Sequence, residues 1–190
     1  MTATAYSSAT ARFPRAGVIV AVIWLGLAIA AGATGFLLRL PFPGPQLIIL
    51  GLVALSLAAG LVRGPLRDWI DALPLRALIG VNALRFIGIA FLVLAARDQL
   101  NPVFAARAGW GDIAVATLAT LLFFTGARPA LVHLWNAFGF LDLVVAVGTA
   151  TAVTGVAPVL SFPLIVVPAY FVPLFLANHV FIFRRLRSGR

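Results

Sequence analysis

Long apolar stretches follow one another through almost the whole of this 190-residue chain, and that repetition restricts it to a membrane-spanning fold. Residues 16–38 contain no charge between Arg15 and Arg39. Further stretches run over about residues 46–62, 75–96, 108–127, 129–153 and 160–183. A helix needs about 20 such residues to cross the hydrocarbon core. Backbone polar groups find no water there, so each segment must satisfy its own, as a helix does. Only 10% of residues are charged, against about 25% in an average soluble domain. We therefore expect an all-α polytopic membrane protein: a bundle of six transmembrane helices over residues 16–183. A disordered cytoplasmic tail at 1–15 and a basic cytoplasmic tail at 184–190 flank it.

The boundaries follow from proline and arginine. Pro41-Phe42-Pro43-Gly44-Pro45 cannot continue a helix, because proline lacks the donor and clashes with the preceding turn. Arg63-Gly64-Pro65 closes the second stretch, and Pro129 suits the first turn of the fifth. The fourth is short, with no charge only from 113 to 127. We expect it to begin near Ala108, which draws Asp112 inside its outer end. Residues 101–109 then read as a short interfacial helix.

Arginine also sets the orientation. With the N-terminus inside, ten arginines fall in inner segments (Arg12, Arg15, Arg63, Arg67, Arg76, Arg128, Arg184, Arg185, Arg187, Arg190), and three in outer ones (Arg39, Arg97, Arg107). The positive-inside rule places both termini in the cytoplasm. The net charge of +9 then reads as a topology signal meeting anionic lipid, not as a nucleic-acid surface. The expected partners are the lipid bilayer and either a membrane-protein partner or a second copy, with no nucleic acid.

Absences narrow the chemistry. There is no Cys, which removes disulfides, thiolate metal ligands and a Cys nucleophile. All 14 basic residues are Arg, so Schiff bases, covalent retinal and a P-loop are excluded. There is no Glu; the carboxylates are Asp68, Asp71, Asp98, Asp112 and Asp142. No nucleophile–base–acid set and no phosphate loop stands out, so catalysis is not the expected role.

Arg85 lies within the third stretch, where an ion costs at least ~2.5–3.5 kcal/mol on insertion scales and needs a partner. Asn82, Arg85 and Gly88 share one helical stripe. In the fifth stretch Trp135, Gly139, Asp142 and Ala146 share a face, with Asn136 at its edge. Arg85 and Asp142 fall at similar depth. They read as a structural pair that fixes helix packing, or as a polar binding or permeation site. Asp112 reads as an acid favoured by a helix N-terminus, or as a contact at the outer mouth. Tyr170 falls at the depth of Asp142 and is a candidate phenol donor to it. His133 and His179 fall at matched depth near the inner arginines, which makes them an alternative haem or metal pair. One straight interface cannot bury both pairings. Pro163, Pro168 and Pro173 each free a carbonyl one turn earlier, to be satisfied by neighbours, water or a ligand.

The order of motifs from the third stretch onward carries a resemblance. Arg85-Phe86-Ile87-Gly88, Phe91-Leu92, Asn101-Pro102-Val103-Phe104-Ala105 and Ala108-Gly109-Trp110-Gly111-Asp112 come first. Trp135-Asn136-Ala137-Phe138-Gly139-Phe140-Leu141-Asp142 follows, then Phe162-Pro163-Leu164-Ile165-Val166-Val167-Pro168 through Val172-Pro173-Leu174 to His179. Over roughly residues 80–185 the chain resembles a family of small uncharacterised bacterial multi-span membrane proteins. The resemblance implies an inner-membrane protein of unknown activity and adds no functional residue.

The expected function is thus non-enzymatic: an accessory or scaffold protein, or a binder or carrier of a small polar or anionic solute. No cofactor is expected. The alternative is a haem-bearing redox protein or enzyme using His133 and His179.

Overall fold

The computed structural model describes residues 15–126 and 128–188, which form helices and turns with no strand. Seven helices follow in order: α1 (Arg15–Thr34), α2 (Gly44–Leu61), α3 (Pro65–Ala72), α4 (Leu75–Ala95), α5 (Pro102–Thr125), α6 (Pro129–Ala152) and α7 (Val167–Arg187). All but the short α3 are long and apolar enough to cross a membrane. The expected tail at 1–15 lies outside the described residues except for Arg15, which opens α1.

Several boundaries differ from expectation, each for a local reason. The first helix stops at Thr34, not at 38. Gly35 adopts φ 65°, and the Phe36 and Gly35 amides donate back to Ala31 and Gly32. This is the glycine stop that satisfies terminal carbonyls. The fourth membrane helix begins at Pro102 rather than near Ala108. Asn101 caps it, accepting from the amides of Val103 and Phe104 at 2.9 and 3.1 Å. The separate interfacial helix expected at 101–109 is therefore the first part of α5, and Asp112 lies well inside the helix. Arg107, expected in an outer segment, sits within α5 and donates to Thr149 Oγ1. The sixth helix starts at Val167, because the segment with Pro163 forms turns. It continues to Arg187, so residues 184–187 are helix rather than tail. Arg184 binds Asp71, and Arg185 binds the Asp71 and Leu73 carbonyls. These bonds fasten the end of α7 to the α3 segment.

The bundle is uneven. Of the apolar window of α7, 61% is buried, against 11% in α1 and in α2. The last helix is the central post: α2 packs along one side of it, and α4, α5 and α6 form a four-helix unit with it. Two apolar clusters fill this four-helix unit. One holds Phe91, Phe104, Ala108, Leu143, Val172 and Phe175. The other holds Leu78, Val115, Ala119, Val132, Trp135 and Ile182. Between them, near the middle of all four helices, lies a polar layer.

Candidate functional site

The layer begins with backbone geometry. Over Val81–Ile87, α4 is wound as a 3-10 helix, in which residues i and i+3 eclipse one another. Asn82, Arg85 and Gly88 therefore line one edge. At Gly88, α4 crosses α5 closely: a Cβ there would meet the Gly109 carbonyl at 2.8 Å and Asp112 Cβ at 2.6 Å. Only glycine permits that approach, and it brings Asp112 to Arg85.

Arg85 is completely buried. Its Nε donates to Asp112 Oδ1 at 2.7 Å, and its Nη2 donates to Asp142 Oδ2. Its Nη1 donates to the Gly139 carbonyl at 3.1 Å and faces His179 Nε2 at 3.4 Å. Four of its five N–H groups thus meet acceptors from α5, α6 and α7. The Phe175 ring covers it from the direction of the first apolar cluster, with the guanidinium carbon 6.0 Å from the ring centre.

His179 is completely buried and held on both sides. Asn136 donates from Nδ2 to the His179 carbonyl at 3.0 Å, and its Oδ1 lies 2.8 Å from His179 Nδ1. The first bond fixes the amide orientation, so Oδ1 can only accept. The ring proton then sits on Nδ1, and the Nε2 lone pair faces Arg85. Gly139 makes room for the ring, since a Cβ there would stand 2.6 Å from His179 Cε1. Trp135 packs on His179 with ring centres 5.6 Å apart and donates to the Val115 carbonyl at 3.1 Å.

Of the residues singled out in the sequence, Arg85, Asp142, Asp112 and Asn136 meet in this one network. Asp112 is not in a first helical turn, as one reading had it, but is a direct partner of Arg85. Asn82 is buried beside the network and donates to the Leu78 and Ile79 carbonyls at 3.0 and 3.3 Å. Its Oδ1 has no donor among the described residues. Tyr170 is not the donor to Asp142. Its ring packs against Trp24 and Phe171, because the π-helical winding over Val167–Phe171 sets it on the α1 side. His133 and His179 do not meet. His133 is exposed and bonds at Nδ1 with the Pro129 carbonyl, whereas His179 offers its free lone pair to Arg85. Among the described residues no group of three or more His, Asp, Glu or Cys is arranged to hold a metal. Sequence reasoning missed His179 as a partner of Arg85. The signal present was Gly139, the small residue one turn before Asp142 that admits a ring.

Two of the carbonyls one turn before Pro163, Pro168 and Pro173 are met within the protein. Pro173 has no N–H for the carbonyl of Ala169, and Trp24 Nε1 of α1 donates to it at 2.8 Å. The Leu164 carbonyl, one turn before Pro168, accepts from Val167 at 2.9 Å.

No curated protein and no solved structure matches the chain. A family model, described as a domain of unknown function (DUF8737), matches residues 42–187. The match spans α2 to α7, with every residue of the Arg85 network, and omits α1. By that match over most of its length, the chain belongs to the DUF8737 family.

Proposed function

We propose that this protein is a non-enzymatic multi-pass membrane protein of the accessory or scaffold kind, and that the Arg85 network locks α4 to α7 together. The observation that carries this reading is the closure of Arg85: no part of it is exposed, and four of its five N–H groups are engaged by groups of the protein itself. An anion carrier needs a guanidinium that can exchange protein acceptors for solute, and this one is walled by Asp112, Asp142 and Phe175. The orientation of His179 Nε2 toward Arg85 likewise favours a packing role over metal ligation. The ten-to-three arginine bias supports cytoplasmic termini. The motif order supports a place in a bacterial inner membrane.

The test is thermal unfolding of purified protein in detergent against chloride, phosphate and acetate at constant ionic strength. We expect no anion-specific rise in Tm, and a clear fall in Tm for Arg85→Ala whatever the anion. A rise with one anion in the wild type that is absent in Arg85→Ala would replace this reading with solute binding.

A further inference from the structure

The charges of the buried layer do not balance. Arg85 comes from α4, Asp112 from α5, Asp142 from α6 and His179 from α7. These are the titratable groups that face one another there, and His179 presents a lone pair. Two carboxylates thus meet one cation between two apolar clusters.

Their placement on the guanidinium is also unusual. The Nε–H and Nη2–H bonds of arginine point in parallel and form the fork that commonly grips both oxygens of a single carboxylate. Here that fork holds one oxygen from each of two residues, Asp112 Oδ1 and Asp142 Oδ2. The second oxygen of each carboxylate makes no hydrogen bond among the described residues. The carboxylate of Asp142 reaches this place against the bare Cα of Gly111, next in sequence to Asp112. Two carboxylates on one guanidinium leave one negative charge in excess, and a proton shared between them would remove it. On the same edge of α4 as Arg85, the completely buried Asn82 Oδ1 is an acceptor with no donor among the described residues.

We propose that the network is a proton-binding site, at which Asp112 and Asp142 together hold one exchangeable proton over the Arg85 fork. This rests on the closed, structural reading of Arg85 above and names the ligand of that same network. The proton belongs to the pair rather than to one residue. Its uptake leaves one ionised carboxylate against one guanidinium, so the layer is neutral. One carboxylate is then essential for holding Arg85, and the second is required only for the proton.

The experiment combines infrared spectroscopy with unfolding of the full chain in detergent, for wild type, Asp112→Asn, Asp142→Asn and the double variant. The wild type should show the carbonyl stretch of a buried carboxylic acid at neutral pH, moved by exchange into heavy water. Each single Asn variant should lose that band and keep a Tm within a few degrees of wild type. The double variant, with Arg85 unpaired, should melt far lower. Absence of the band from wild type, or its persistence in both single variants, overturns the proposal. So does a Tm that rises with sodium at constant ionic strength in wild type but not in the single variants, since a metal cation would then balance the charge. If one single variant does not fold, the band in the other decides. Failure here leaves the closed reading of Arg85 standing, because that reading fails separately, on anion-dependent stabilisation.

Discussion

Arg85 shows how one costly residue organises its surroundings. A guanidinium in the hydrocarbon region needs its donors met, and each acceptor needs a route to it. Glycine supplies the routes: Gly88 admits Asp112, Gly111 admits Asp142 and Gly139 admits His179. This leads to a prediction of opposite signs. Gly111→Ala places a Cβ against the carboxylate of Asp142 and should destabilise by about 1–3 kcal/mol, the usual range for overpacking. Gly26→Ala, where nothing lies within 4 Å, should be neutral or stabilise by up to about 1 kcal/mol through helix propensity. Thermal unfolding of both variants checks this. Equal effects would show that Asp142 is free to move away. At this scale the sequence was partly legible. A fixed helical rise puts Arg85 and Asp142 at similar depth, and the structure joins them. Depth does not give rotation about the axis, and so Tyr170, set beside Asp142 by depth, faces Trp24 instead.

At the level of the helices, irregular winding marks the segments that matter. The 3-10 stretch of α4 aligns Asn82 with Arg85, and the π-helical start of α7 leaves the Ala169 carbonyl to Trp24. Hydropathy and charge made the six spans readable, since length and composition alone define them. They did not show where winding changes, because a 3-10 or π turn is set by which carbonyl each amide meets and not by hydropathy. The displaced start of α5 has a similar origin. Span length alone put the start near Ala108, while the Asn101-Pro102 cap, a local hydrogen-bond signal, is what starts the helix. The link between α1 and α7 is testable. Trp24→Phe removes the donor to a carbonyl that Pro173 cannot serve, and should cost about 1–3 kcal/mol. In a Pro173→Ala background an N–H becomes available one turn on, and the same change should cost clearly less. Equal costs in both backgrounds, read by thermal unfolding, would separate Trp24 from the proline.

The whole molecule is a four-helix unit, α4 to α7, with α2 and α3 fastened to one side through Phe181 and Asp71, and α1 held through Trp24. The arginine bias makes a prediction at this scale. A reporter active only in the cytoplasm should work when fused after Arg187 and be silent at Ala157, between α6 and α7; activity at Ala157 would reverse the orientation. The central claim is that the buried ions bind these four helices to one another. Its most direct measurement is a double-mutant cycle in detergent with Arg85→Ala, Asp142→Ala and the pair. Arg85→Ala leaves two carboxylates without their cation and, like breaking a buried ion pair, should cost about 3–5 kcal/mol; Asp142→Ala, which leaves Arg85 held by Asp112, should cost less. The double variant should lose less than the sum of the two, by about 0.5–3 kcal/mol of coupling, because it strands one carboxylate where Arg85→Ala strands two. Strict additivity would contradict the account.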